Sequence, residues 1–149
     1  MPACRASTDL QTAGFTLLEV LATLVLLSVG MLGIATLYLG SLRINQLALH
    51  RTQAVTLAAD LADRIRANRV AVDAYACGDP CPPGAGGNAV AAADLASWLE
   101  QVAGQLPDGT GAVSFTAATI GVPARYIVTV RWTAVGHVEA HSFELRVEV

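Results

Sequence analysis

Gly14-Phe15-Thr16-Leu17-Leu18-Glu19-Val20 is the stretch that decides the fold, because an unbroken apolar run follows it. The 23 residues from Val20 to Leu42 contain no charged residue and no proline. About 20 apolar residues are enough to cross the hydrocarbon core of a bilayer as a helix, and a helix without proline is not interrupted. The sequence therefore predicts a transmembrane helix over residues 15–42.

An acid and a glycine–aromatic pair mark the start of this run. A carboxylate inside a bilayer costs roughly 2.5–3.5 kcal/mol on insertion scales, so we expect Glu19 to have a partner or a function. The alternative is a plain signal anchor, in which Glu19 only extends to the headgroups. A secretory signal peptidase cuts after its apolar region, whereas Gly14 and Phe15 lie before it. Cleavage there would leave the apolar helix on the mature chain.

The order of these residues resembles the class III signal of type IV prepilins and of type II secretion pseudopilins. The resemblance implies that a prepilin peptidase cuts after Gly14 and that Phe15 becomes the methylated N-terminus. It also implies that Glu19 forms an assembly salt bridge with the N-terminus of a neighbouring subunit. The implied partners are other pilin and minor pilin subunits, the prepilin peptidase and the inner-membrane assembly platform.

The same resemblance divides the chain into three parts. Residues 1–14 correspond to a leader peptide, residues 15–42 to a transmembrane and filament-core helix, and residues 43–149 to a periplasmic globular domain. We expect a single-pass protein of the inner membrane with its C-terminal domain in the periplasm, which then enters the pilus filament. Cys4 lies in the leader and is not expected in the mature protein.

The helical pattern continues beyond the apolar run. One face carries apolar residues at helical spacing, namely Leu47, Ala54, Ala58, Leu61 and Ile65. Asp60 and Arg64 stand four residues apart in the favourable acid-first order. Residues 51–54 together with residues 61–68 resemble the PilV family of type IV pilus modification proteins, whose members commonly carry an Arg-Ile-Arg-Ala-Asn element, here Arg64 to Asn68, at the end of this helix. For Arg64 and Arg66, a solvated charged face without a special role is the alternative.

A loop rich in glycine and proline follows over residues 74–88. Cys77 and Cys81 flank Gly-Asp-Pro, a turn-forming set. In an oxidising compartment such a pair predicts a disulfide. A zinc site is disfavoured because tetrahedral zinc takes four ligands, and a thioredoxin-like pair has a different spacing.

The rest of the chain predicts one helix and three strands. Residues 89–106 carry a helical stripe made of Leu95, Trp98, Leu99, Val102 and Leu106. On this stripe Trp98 is interpreted as a core residue rather than a binding aromatic. Alternation predicts strands over residues 112–116, 125–133 and 142–149, with a connection at Gly136. In the last strand the residues predicted to face inwards are Phe143, Leu145, Val147 and Val149.

These elements predict an α+β fold of the type IV pilin-like kind. The apolar face of a small antiparallel sheet would pack on residues 44–66 of the long N-terminal helix, because both faces need to be buried. This arrangement is also the one that the pilin resemblance implies.

Composition and motifs disfavour several classes of function. The net charge is −3 and the chain contains no lysine, so a basic nucleic-acid surface is not expected. It carries no Walker loop, HExxH, GxSxG or GxGxxG motif, and we predict no catalytic residue and no cofactor. His50, His137 and His141 are scattered without ligand-like neighbours, so no metal site is predicted.

We therefore expect a structural subunit rather than an enzyme. It would be a minor pilin that takes part in type IV pilus assembly or initiation. A minor pseudopilin of a type II secretion system is the alternative. A single-pass envelope enzyme is disfavoured because no nucleophile–base pair is evident.

Overall fold

The computed structural model describes residues 14–71, 73–133 and 140–149. The elements in chain order are α1 (Leu17–Ala67), α2 (Ala89–Gln105), β1 (Thr110–Thr116), β2 (Arg125–Thr133) and β3 (Ala140–Glu148). The chain divides into an N-terminal unit that ends at Arg43 and a C-terminal unit from Ile44 to Val149, and α1 contributes residues to both. The predicted leader before Gly14, and Gly136 with His137, lie outside the described residues.

The described part of the N-terminal unit consists of three non-helical residues, 14–16, and the apolar portion of α1. Its most apolar window of 18 residues has a mean hydropathy of 2.4, and none of that window is buried. By length and composition this helix is able to cross a membrane.

The C-terminal unit contains a three-stranded antiparallel sheet in the order β1-β2-β3. Val113 of β1 is opposite Val128 of β2, which is opposite Leu145 of β3. Because side chains alternate between the two faces of a strand, this register collects the apolar residues on one face. The α+β fold class predicted from the sequence, a long N-terminal helix with a small antiparallel sheet, is confirmed.

The core of this unit combines residues of α1, α2 and the sheet. The buried face of α1 consists of Ala54, Leu57, Ala58, Leu61, Ala62 and Ile65. Trp98 of α2 is fully buried, and its indole N–H donates to the carbonyl oxygen of Leu57 at 3.0 Å. Its interpretation as a core residue is therefore confirmed. Gly111 of β1 lies against the Trp98 ring, where a Cβ atom has no room.

The ends of two strands differ from the sequence predictions. β1 begins at Thr110 rather than at residue 112, and β3 covers Ala140–Glu148 rather than residues 142–149. Val149, predicted to face inwards, is 37% exposed because β3 ends one residue before it.

The buried face of α1 is shorter than predicted. It begins at Ala54, whereas packing was predicted along residues 44–66. Leu47 is only half-buried. Leu47 lies seven residues before Ala54, or about 10 Å along the helix axis, and at this distance the core no longer contacts the helix.

Candidate processing and assembly site

Thr16 determines where α1 begins. Gly14, Phe15 and Thr16 are not helical. The hydroxyl of Thr16 accepts the backbone N–H of Glu19 at 3.3 Å, and its carbonyl oxygen accepts the same N–H at 3.1 Å. Thr followed three residues later by Glu is the sequence of a capping box. Sequence reasoning missed this role of Thr16, although the Thr-x-x-Glu pattern was the signal that could have found it.

The predicted cleavage point lies in the non-helical residues ahead of this cap. Gly14 is exposed, and the side chain of Phe15 is 81% exposed. A Cβ atom added to Gly14 would meet nothing within 4 Å. No contact among the described residues therefore requires a glycine at this position, and a requirement for one must come from a binding partner.

Glu19 lies in the first turn of α1. The partial positive charge of a helix N-terminus favours a carboxylate there. No ion pair among the described residues involves Glu19, whose side chain is exposed. Within the described part of a single chain, the N-terminus of α1 is therefore the feature that stabilises the Glu19 carboxylate.

The hydroxyl groups within the apolar run are satisfied inside the helix. Thr23, Ser28 and Thr36 donate to the carbonyl oxygens three residues earlier, at distances of 2.9, 2.8 and 2.8 Å. Such internal bonds are needed where water is excluded, because lipid offers no partner to a polar group. The leucine, valine, isoleucine and methionine side chains of this segment are all exposed. A surface this apolar has to be covered by lipid or by other proteins.

The structure brings the two loop cysteines together. Their sulfur atoms are at disulfide distance, and their Cα atoms are 5.0 Å apart. The backbone N–H groups of Cys77 and Cys81 donate to the carbonyl oxygens of Val113 and Gly111 of β1, at 3.0 and 2.8 Å. The cysteine pair thus closes a loop that is hydrogen-bonded along the edge of the sheet.

Asp79, at the middle of this loop, accepts two hydrogen bonds from the guanidinium of Arg131 on β2. The bond between Nη2 and Oδ2 measures 2.7 Å. Hydrogen bonding to Arg131 lowers the pKa of Asp79 below its ordinary value. The loop is therefore fixed to the sheet by a side-chain pair as well as by its backbone.

Arg64 connects the end of α1 to the next helix. Its guanidinium bonds the predicted partner Asp60 at 2.9 Å and also Asp94 of α2 at 3.3 Å. The hydroxyl of Tyr75 donates to the other oxygen of Asp94 at 2.6 Å. Asn68 donates to the Tyr75 hydroxyl at 3.3 Å. The alternative that Arg64 is only a solvated charge is therefore wrong.

Arg66, by contrast, pairs among the described residues with its helix neighbour Asp63 alone, at 2.8 Å on the exposed surface. This contact is consistent with a solvated face. The two arginines of the same sequence element thus differ in structural role.

The described residues contain no group of three or more His, Cys, Asp and Glu side chains able to hold a metal ion. Nδ1 of His50 lies 3.2 Å from the side-chain oxygen of Gln53. The ring of His141 stacks on Trp132 with a centroid distance of 5.9 Å.

The N-terminal segment also matches a known protein signal. The family model of the prokaryotic N-terminal methylation motif matches residues 11–35. The match includes Gly14, Phe15 and Glu19, and it supports a type IV pilin or pseudopilin-like protein anchored to a membrane. Proteins of this kind are generally not enzymes. No curated protein and no solved structure matches the chain.

The arrangement of elements agrees with this family. A long apolar N-terminal helix followed by a small three-stranded antiparallel sheet is the α+β layout of the type IV pilin fold.

Proposed function

We propose that this chain is a minor pilin of a type IV pilus and not an enzyme. The observation that carries the proposal is the methylation motif, which covers the start of α1, together with the most apolar window of that helix, none of which is buried. In this proposal a prepilin peptidase removes residues 1–14 and the new N-terminus at Phe15 is methylated. The mature subunit then assembles with other pilins through an inner-membrane platform.

The two predicted parts of the mature chain take different places in this proposal. Residues 15–42 anchor the subunit in the inner membrane and later lie in the filament core. Residues 43–149 form the periplasmic domain, and a Cys77–Cys81 disulfide forms there because the compartment is oxidising. The disulfide distance between the two sulfur atoms supports this pairing.

Glu19 provides the assembly contact. Removal of the leader creates a positively charged amine on Phe15 of every subunit. In a filament core that excludes water, this amine of one subunit pairs with the Glu19 carboxylate of its neighbour, since attraction between charges is strong at low dielectric. Only one axial stagger of two helices brings these groups together, so the pair also sets the register.

A minor pseudopilin of a type II secretion system is the second candidate, because pseudopilins share the N-terminal signal. The resemblance of the Arg64–Asn68 element to the PilV family favours the pilus. In the structure this element contributes Arg64 and Asn68 to contacts with Tyr75 and Asp94. Co-purification with a secretion apparatus, and absence from pili, would favour the pseudopilin.

Mass spectrometry of the protein in sheared pili tests the proposal. We expect a chain that begins with methylated Phe15 and lacks residues 1–14. An intact leader in assembled material, or a chain cut after the apolar run, would refute it.

A further inference from the structure

The first cysteine of the loop beside β1 lies in polar surroundings. Cys77 is partly buried and lines a cleft on the surface of the C-terminal unit, which we call the polar cleft. The polar side chains that line this cleft are those of Asp79, Ser114, Thr129, Arg131 and Glu144. A sulfur atom at this position is open to a reagent that approaches from water.

The second cysteine lies in apolar surroundings. Cys81 is only 7% exposed and belongs to the core. It lines a second hollow, which we call the apolar groove. No described residue that lines the groove is charged, and the larger ones are Pro80, Pro83, Leu95 and Leu99. The two sulfur atoms of the pair thus differ both in access and in the polarity around them.

The contacts that hold the loop do not involve the sulfur atoms. The backbone N–H groups of Cys77 and Cys81 donate to carbonyl oxygens of β1 at 3.0 and 2.8 Å. Asp79, between them, accepts two hydrogen bonds from the guanidinium of Arg131, one of them at 2.7 Å. The two Cα atoms are 5.0 Å apart, within the range of about 4.4–6.8 Å that disulfides require. These contacts are therefore available to the loop before its sulfur atoms are joined.

We propose that the sheet positions this pair for oxidation in a fixed order. Cys77 reacts first with the disulfide of an oxidant, Cys81 completes the bond, and Asp79 with Arg131 holds the loop for the second step. The oxidant is a disulfide-bearing protein or small molecule. The proposal rests on the Cys77–Cys81 disulfide of the proposed function, and it adds the order in which that bond forms and the residues that position it.

The chemistry of the two steps explains this order. The Cys77 thiolate attacks one sulfur of the oxidant, forms a mixed disulfide and releases the other sulfur of the oxidant as a thiolate. The Cys81 thiolate then attacks the Cys77 sulfur and expels the remaining sulfur of the oxidant. Two electrons pass to the oxidant, and the two cysteine protons end on its two thiols. The first step needs access for an outside molecule, whereas the second is intramolecular and takes place at a buried thiol.

The rates at which the two thiols react with a disulfide test the order. The full chain carries Cys4→Ser, so that the leader adds no thiol, together with either Cys81→Ser or Cys77→Ser. In detergent, we expect dithiodipyridine, an uncharged disulfide, to react about tenfold or more faster with Cys77 than with Cys81, because reactivity follows access. In urea the two rates should be equal. Equal rates in the folded protein, or a faster Cys81, would overturn the proposal.

A measurement on the intact pair does not depend on either single-cysteine variant folding. The reduced Cys4→Ser chain is treated briefly with less than one equivalent of iodoacetamide and then digested and mapped. Most of the label should lie on Cys77, and a label mainly on Cys81 would overturn the order. Peptide mapping of the untreated exported protein reports separately whether the disulfide exists, so a failure of the proposed disulfide is distinguishable from a wrong order.

The positioning role of Arg131 is tested by the equilibrium between the reduced protein and glutathione disulfide. Arg131→Gln should lower the equilibrium constant for closing the bond about threefold, as expected for an exposed ion pair, and Arg131→Lys should lower it less. Arg66→Gln is the matched control, because Arg66 pairs with Asp63 on the exposed surface away from the loop. A purely structural role would destabilise the oxidised and reduced forms equally and leave this constant unchanged. An unchanged constant in Arg131→Gln would therefore overturn the positioning role.

Discussion

The hydroxyl of Thr16 accepts the backbone N–H of Glu19 at 3.3 Å, two residues after the predicted cleavage point. A peptidase that cuts after Gly14 would leave Thr16 on the mature chain, so the helix would keep its own cap. The bond to be cut also lies outside α1. No helical turn therefore has to open before the peptidase can bind the chain.

Gly14→Val should leave the precursor uncut in the membrane. No described residue lies within 4 Å of a Cβ atom added to Gly14, so we expect the defect to arise in the peptidase site. Gly104→Val is the matched control, because a Cβ atom at Gly104 also meets nothing within 4 Å. Intact-mass measurement of the two variants should show the leader on the first and not on the second. Normal amounts of mature Gly14→Val protein would contradict the assignment.

Glu19→Leu should insert in the membrane and be cleaved, yet enter pili poorly. Removing one partner of a buried ion pair leaves the other charge unpaired, at a cost of roughly 3–5 kcal/mol. Glu19→Gln should pack better but still be defective. Asp63→Leu is a suitable control, because Asp63 pairs with Arg66 on the exposed surface. The ratio of protein in sheared pili to protein in membranes is the measurement, and a wild-type ratio for Glu19→Leu would rule out the register role.

The cysteine pair should be oxidised in the exported protein. Non-reducing peptide mapping should recover a linked Cys77–Cys81 peptide, and quantitative labelling of free thiols would refute the disulfide. Replacing both residues with serine should lower the free energy of unfolding by about 2 kcal/mol at most, because the closed loop is short. Hydrogen exchange at the amides that bond Val113 and Gly111 should become faster. Cys4→Ser should leave the mature protein unchanged.

Asp94→Ala should destabilise the C-terminal unit more than Asp60→Ala does. Both acids pair with Arg64, but only Asp94 also accepts the hydroxyl of the fully buried Tyr75. A buried hydroxyl without its acceptor costs about 1–3 kcal/mol, whereas an exposed ion pair contributes about 0–1 kcal/mol. Urea unfolding of the full chain in detergent, followed by near-ultraviolet circular dichroism, compares the two variants. An equal decrease in the free energy of unfolding for both variants would show that the hydrogen bond from Tyr75 contributes little to stability.

Tyr75 should make the stability of the fold fall at alkaline pH. Burial, followed by its hydrogen bond to Asp94, raises the pKa of Tyr75 above its ordinary value of 10.0. The folded state therefore binds this proton more tightly than the unfolded state does. Its contribution is complete below about pH 10 and is lost as the pH rises through the raised pKa. Tyr75→Phe should reduce the fall in the free energy of unfolding above pH 10, and an unchanged slope would contradict this origin.

Periodicity in the sequence predicted the helices, the strands and the faces that they bury. It predicted Trp98 as a core residue, and it predicted the Asp60–Arg64 pair because both residues lie on one helix. Patterns of this kind report spacing along a single element. Such patterns therefore show which face of α1 turns towards the core, but not how far along the helix the core extends. For this reason Leu47, which is only half-buried, was predicted to be buried.

Contacts between elements were not predictable in this way. Arg64 reaches Asp94 across 30 residues, and Asp79 reaches Arg131 across 52. The sequence around each arginine does not indicate which distant residue it contacts. The capping role of Thr16 could have been predicted, since the Thr-x-x-Glu pattern lies within four consecutive residues.

The hydroxyl groups of Thr23, Ser28 and Thr36 bond to carbonyl oxygens of their own helix. These bonds affect the free energy of moving the apolar segment of α1 from lipid into contact with protein. If the segment passes from lipid into contact with protein, each of these hydroxyl groups can keep the carbonyl oxygen of its own helix as its acceptor. The free energy of such a transfer then depends on the apolar surface and on Glu19 rather than on the hydroxyl groups. The helix can thus change its solvent without changing its internal bonding.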